Sequence, residues 1–204
     1  MIPHNQIQWQ QRIDAGPYER IIILDLLRRL GYGLNDLLWD AGLRFIQIPA
    51  LSTYSSMRPR ECIVDAAMLA EIDERKTVQA AFSQSTFRVY FRVGSPLILC
   101  HELGHALDKG LDQFGSTALE TRDAPKRSNL VSNYAFRGDS RERFAESFAA
   151  YLNADPPRYS IDHLRRTDRS AAAAIHLIFR GANGSEDARS RLLASPSNLP
   201  LILT

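Results

Sequence analysis

A chain of 204 residues with 45% apolar and 24% charged residues has the length and make-up of one globular domain with a sizeable core. A net charge of +2 is too small to mark a nucleic-acid partner; the short clusters Arg58-Pro59-Arg60 and Arg165-Arg166 with Arg169 stand among acidic residues and read as solvated faces. Apolar runs such as residues 21–24 and 97–100 are far too short to span a bilayer, and Cys62 and Cys100 alone make no disulfide framework.

Residues 1–16 show no clear periodicity and read as a loose arm. Residues 1–11 are polar and lack a secretory apolar core. The expectation is therefore a cytoplasmic protein, one exported by a route that reads no such signal, or a fragment of a longer chain. Pro17 opens a helix over 17–30, with Ile21, Leu24 and Leu27 on its buried side and Gly31 as its stop. Residues 34–40 read as a second short helix ended by Gly42, and 43–48 as a strand closed by Pro49. Residues 52–60 are a Ser-rich loop, and a helix is expected from about Asp65 to Lys76.

Residues 87–93 alternate cleanly. Phe87, Val89, Phe91 and Val93 share one face; Arg88, Tyr90 and Arg92 share the other. The arginine face predicts a strand open to solvent on one side and lying at a sheet edge. After Gly94, Ser95 as N-cap and Pro96 at the first helical position open a helix running to about Leu111. Residues 115–128 read as a polar loop and 130–136 as a short apolar segment. Asp139 and Glu142 form a capping-box pattern that starts a helix over 140–153, ended by Asp155-Pro156-Pro157. Further helices are expected over 161–180 and 186–194, then a tail over 195–204.

The helix after Ser95 carries His101-Glu102-Leu103-Gly104-His105. Histidines four apart leave one side of a helix a turn apart, so both imidazoles can grip one Zn²⁺ at about 2.0–2.1 Å. Glu102 is one step round, where its carboxylate can reach a metal-bound water as general base without being a ligand. Leu99, Leu103, Ala106 and Leu107 recur at helical spacing and face the core. Cys100 reads as a small core residue.

Catalytic zinc usually takes three protein ligands plus water. Asp108 and Leu111 stand where a metzincin would continue with Gly and His, which excludes that class. Asp112 lies two turns beyond His105 and points away, and Glu120 sits in a polar stretch. Glu146 lies on a helix apolar nearly all round, flanked by Ala145, Ala149 and Ala150. A buried unpaired carboxylate is costly and a metal ion reverses that cost, so Glu146 is the expected third ligand.

The His-Glu-Leu-Gly-His motif followed by Phe144-Ala145-Glu146-Ser147-Phe148-Ala149 resembles the anthrax-lethal-factor-like zinc metallopeptidases, the gluzincin group that includes the Pro-Pro endopeptidases. The resemblance covers residues 87–152. It implies an α+β, zincin-like fold: a small mixed sheet whose edge strand packs on the active-site helix, and a helical C-terminal half. It implies one catalytic Zn²⁺, hydrolysis of a protein or peptide substrate, a toxin or effector setting, and a tyrosine upstream of the ligand Glu that hydrogen-bonds the oxyanion. Tyr134 sits in about that place, with Tyr159 as a weaker substitute. It further implies an extended substrate paired with the strand at the cleft's edge, for which 87–93 is the candidate; Arg88, Tyr90 and Arg92 would then face the substrate, with the arginines favouring acidic or phosphate-bearing groups. Two other readings share the motif. One is a metal-bound regulatory protein that senses rather than degrades. The other is a deformylase-like amidase with Cys62 as third ligand, although no Gly-rich segment precedes that cysteine.

Overall fold

The computed structural model describes residues 6–48, 65, 69–70, 78–92, 94–120, 132, 135 and 139–183. The expectations for residues 52–60, 186–194 and 195–204, and all but a few residues of 65–76 and 130–136, lie outside them. The first elements are a helical turn α1 (Gln6–Trp9), a 3₁₀ turn (Gln10–Arg12) and a short strand β1 (Ile13–Asp14). Most of the expected loose arm is thus ordered. Trp9 and Ile13 are its anchors, each 2% exposed, and Trp9 meets Trp39 edge-on with ring centroids 5.2 Å apart. Large aromatic burial outweighs weak local periodicity here.

Helices α2 (Pro17–Leu30) and α3 (Tyr32–Asp40) follow, split at Gly31, whose φ of 74° suits glycine. Strand β2 is Arg44–Gln47, β3 is Ala80–Ser83 and β4 is Arg88–Phe91. The four strands form one mixed sheet in the order β1-β2-β4-β3. β1 and β4 both run parallel to β2, and β3 pairs antiparallel with β4. The expected solvent-facing edge strand is therefore corrected: β4 is paired on both sides and is internal. Its second face is also covered, since Tyr90 is fully buried in a small cluster with Ile46, Ile48 and Leu69. The edges, among the described residues, are β1 and β3; β3, next to β4, is too short and weakly alternating to read from Ala80-Ala81-Phe82-Ser83 alone.

A buried Asp65 ties this face together. Its carboxylate accepts hydrogen bonds from the hydroxyls of Ser83 at 2.6 Å, Ser85 at 3.1 Å, Thr86 at 2.6 Å and Tyr90 at 2.7 Å. β4 then leads through Gly94 into helix α4 (Pro96–Gly110). A Cβ at Gly94 would fall 2.3 Å from Cγ of Glu19, so a larger residue there would have to displace the Glu19 side chain. Ser95 is the N-cap in backbone conformation but makes no side-chain capping bond.

The helical half contains α5 (Phe114–Glu120), α6 (Ser140–Tyr151), α7 (Ile161–Thr167) and α8 (Arg169–Asn183). Two expectations change here. The polar loop begins with a helix, because Phe114, Ala118 and Leu119 are buried and the buried Asp108 accepts the Ser116 N–H at 2.8 Å. The single helix expected over 161–180 is broken at Asp168, which leaves helical conformation at φ −142°, ψ 79°. Its carboxylate accepts the Ala171 N–H at 3.0 Å and caps the start of α8. Asp168 also pairs with the buried Arg143 of α6 through Nε–Oδ2 at 2.8 Å and Nη2–Oδ1 at 3.0 Å. Asp139 caps α6 as predicted, accepting from the N–H groups of Arg141 and Glu142. Among the described residues no helix is long and apolar enough to cross a membrane.

Candidate metal centre

The site forms where α4 and α6 pack face to face. Gly104 makes that approach close: a Cβ there would sit 2.9 Å from Cα of Ala145 and 3.2 Å from Cδ1 of Phe148. α6 is buried on every side, with Arg143 through Ala150 all buried. His101 and His105 leave α4 on one face, and Glu142 and Glu146 leave α6 on the face opposite, each pair one helical turn apart.

His101 Nε2 and His105 Nε2 lie 3.1 Å apart. Glu142 reaches both imidazoles: its Oε2 is 3.2 Å from His101 Nε2 and its Oε1 is 3.5 Å from His105 Nε2. Ligand atoms of His101, His105 and Glu142 all lie within 4.8 Å of one another, a group that can hold a metal ion. The third member of this group is Glu142, not the Glu146 expected from the sequence. Glu146 instead stands behind His101, with Oε1 2.8 Å from Nδ1. Its other oxygen accepts the Ser132 hydroxyl at 2.5 Å and the Tyr159 hydroxyl at 2.6 Å.

The donor set fits a cation. Two imidazole nitrogens cannot satisfy each other by facing at hydrogen-bond distance unless one carries a proton. The Glu142 carboxylate is half-buried and points at both histidines, with no other partner for its Oε2 among the described residues. A divalent ion satisfies all three at once. In the metal-free protein a proton takes that part. Burial alone would lower the His101 pKa, but hydrogen bonds to Glu142 and Glu146 and nearby carboxylate charge push it up to about 10. Glu142 is held well below the usual carboxylate range: burial opposes this, and the two histidines overcome it.

Glu102 is 7% exposed and lies beside the group without joining it. Burial pushes its carboxyl pKa up, partly offset by His101 and His105, and by a hydrogen bond from the Phe82 backbone on the edge strand. Cys100 is fully buried in the core and burial raises its thiol pKa, as befits a packing residue.

Of the other sequence candidates, Tyr134 and Cys62 lie outside the described residues. Tyr159 is committed to Glu146. Tyr90 gives its hydroxyl to Asp65, and Arg88 Nη1 stands 3.5 Å from that same hydroxyl, on the covered side of the sheet. Sequence reasoning passed over Glu142 because its capping-box position already explained it. The signal was the spacing: Glu142 and Glu146 repeat on α6 the four-residue step of His101 and His105 on α4. The chain matches no family model, no curated protein and no solved structure.

Proposed function

We propose that this protein is a zinc-dependent peptidase whose metal is held by His101, His105 and Glu142. The observation that carries this reading is the convergence of two Nε2 atoms and the Glu142 carboxylate beside a buried glutamate. When bound, zinc lowers the pKa of a water to about 7 and polarises a carbonyl. Glu102 takes the proton of the attacking water and passes it to the leaving amine. Burial helps this role, because it pushes the Glu102 pKa up and makes the carboxylate a stronger base than one in water. Tyr134 is proposed as the oxyanion donor, on its position in the sequence.

An extended peptide is proposed to pair with β3 rather than with β4, both of whose sides are taken. Arg92 N–H bonds Gln79 O at 2.8 Å, so Gln79, Ala81 and Ser83 turn their main-chain groups toward β4. Ala80 and Phe82 turn theirs toward the side with no strand neighbour among the described residues, where the Phe82 backbone already bonds Glu102, a bond the peptide would have to displace or share.

The test is metal analysis of the purified protein together with cleavage of a peptide library. Zinc near one equivalent, library cleavage, and loss of cleavage with retained zinc in Glu102→Gln are the expected results. Absence of zinc ends the proposal, and zinc without any cleavage favours the binding or sensing reading instead.

A further inference from the structure

We infer that Ser132 and Tyr159 act as positioning residues for the metal centre, through Glu146 and His101; this rests on the zinc reading above. Glu146 sits at the middle of the chain of contacts. Its Oε1 faces His101 Nδ1 at 2.8 Å, and its Oε2 accepts two hydroxyls at 2.5 Å and 2.6 Å. A carboxylate has room for about four acceptor bonds. With both oxygens engaged and only 6% of the residue exposed, Glu146 has little freedom to turn.

The geometry also sets proton positions. The Ser132 oxygen accepts the Ala135 N–H at 3.1 Å, which leaves its own hydrogen for Glu146. Tyr159 follows the turn at Pro156-Pro157; its N–H bonds Asp155 O at 2.6 Å, which closes the turn and presents the hydroxyl to α6. A carboxylate against Nδ1 keeps the hydrogen on that nitrogen. The lone pair of His101 is then on Nε2, the atom that faces His105 and Glu142. Carboxylates of this kind orient a ligating imidazole and raise its basicity, and their loss typically costs 10–100-fold in metal affinity. What the structure adds is that the carboxylate is itself held from two further segments, at Ser132 and past the end of α6.

The experiment measures zinc affinity by chelator competition for the full chain and for His101→Ala, Glu146→Ala, Tyr159→Phe, Ser132→Ala and Tyr159→Phe in the Glu146→Ala background. Expected losses are about 10–100-fold for Glu146→Ala and about 2–10-fold for each hydroxyl deletion. Tyr159→Phe should cost nothing further once Glu146 is absent, the non-additivity of residues acting in series. Long-range ¹H–¹⁵N spectra of zinc-loaded protein should show His101 protonated at Nδ1, with that signal shifted in Tyr159→Phe. Wild-type affinity and an unshifted His101 signal in both Tyr159→Phe and Ser132→Ala overturn the inference while leaving the zinc reading intact. Wild-type protein that takes up no zinc, or a His101→Ala variant that binds like wild type, overturns the zinc reading and this inference with it. Tyr159→Phe changes one atom, so its result stands even if Glu146→Ala fails to fold.

Discussion

Replacing Gly104 with alanine puts a methyl group where α4 and α6 all but touch. Two opposed effects follow. Alanine in a helix interior is favoured over glycine by about 1 kcal/mol. The new Cβ, however, would lie 2.9 Å from Ala145 Cα, 3.2 Å from Phe148 Cδ1 and 3.3 Å from Ala145 Cβ. The nearest of these is backbone, which yields only if a helix moves. Ordinary carbon–carbon contact is about 3.5–4.0 Å, so the helices must part by roughly 0.6 Å or more. Overpacking of this kind costs about 1–3 kcal/mol, which leaves a net loss of up to about 2 kcal/mol and a Tm lower by up to roughly 8 °C. The histidines ride on one helix and the two glutamates on the other, so the same shift opens the candidate metal site. Bond lengths in such sites hold to within about 0.2 Å, and zinc affinity should fall at least about tenfold. Thermal melts and chelator competition on Gly104→Ala measure both effects. A variant that melts several degrees higher than wild type and binds zinc unchanged would refute the close-approach argument.

Zinc uptake should be coupled to pH through His101. Its pKa of about 10 in the metal-free protein means that binding at pH 7 displaces a proton, and affinity should drop about tenfold for each unit the pH is lowered. Because that value lies above the unfolded one, the His101 pairing stabilises the metal-free fold fully below about pH 6.5 and is lost as pH rises toward 10; calorimetry in buffers of different ionisation enthalpy that detects no proton release would count against it. Asp65→Ala should cost about 3 kcal/mol at pH 7, since it strands hydroxyls around a buried carboxylate position. Burial raises the Asp65 pKa but the hydroxyl donors win and lower it, so this stability is present above about pH 3.9 and fades as pH falls through the folded value; denaturant unfolding that differs by less than about 0.5 kcal/mol would show the cluster to be incidental.

What could be read from the chain depended on whether the deciding interactions were local. α4 was legible because Ser95, Pro96 and the Leu99–Leu103–Leu107 stripe lie within one helix and agree with one another. Its two histidines and Glu102 came with it. β3 was not legible, since pairing with β4 makes Ala80–Ser83 a strand. For the same reason β4 looked like an edge: alternating Arg88, Tyr90 and Arg92 cannot reveal that Asp65 and Leu69 cover their side. The α7–α8 break was hidden because Asp168 turns the chain for a partner 25 residues away. The choice between Glu142 and Glu146 was a question of which way two residues on one helix face point along another helix. Burial, the criterion available in sequence, selected the more buried glutamate; the geometry sets that one behind the histidine and the less buried one in front.

Arg143 follows Glu142 directly, so their side chains leave α6 about 100° apart. A single hydrogen bond from Arg143 would act as a pivot and let the helix roll about its long axis. The guanidinium instead meets Asp168 with two parallel bonds, a flat joint that resists torsion. The angular setting of α6 is therefore indexed from its far side, against the chain break between α7 and α8. A small roll would swing Glu142 off both imidazoles at once, because it is the one carboxylate that reaches the two of them. The direction in which the carboxylate of the candidate metal group points is thus stored in a charge pair on the far side of its helix.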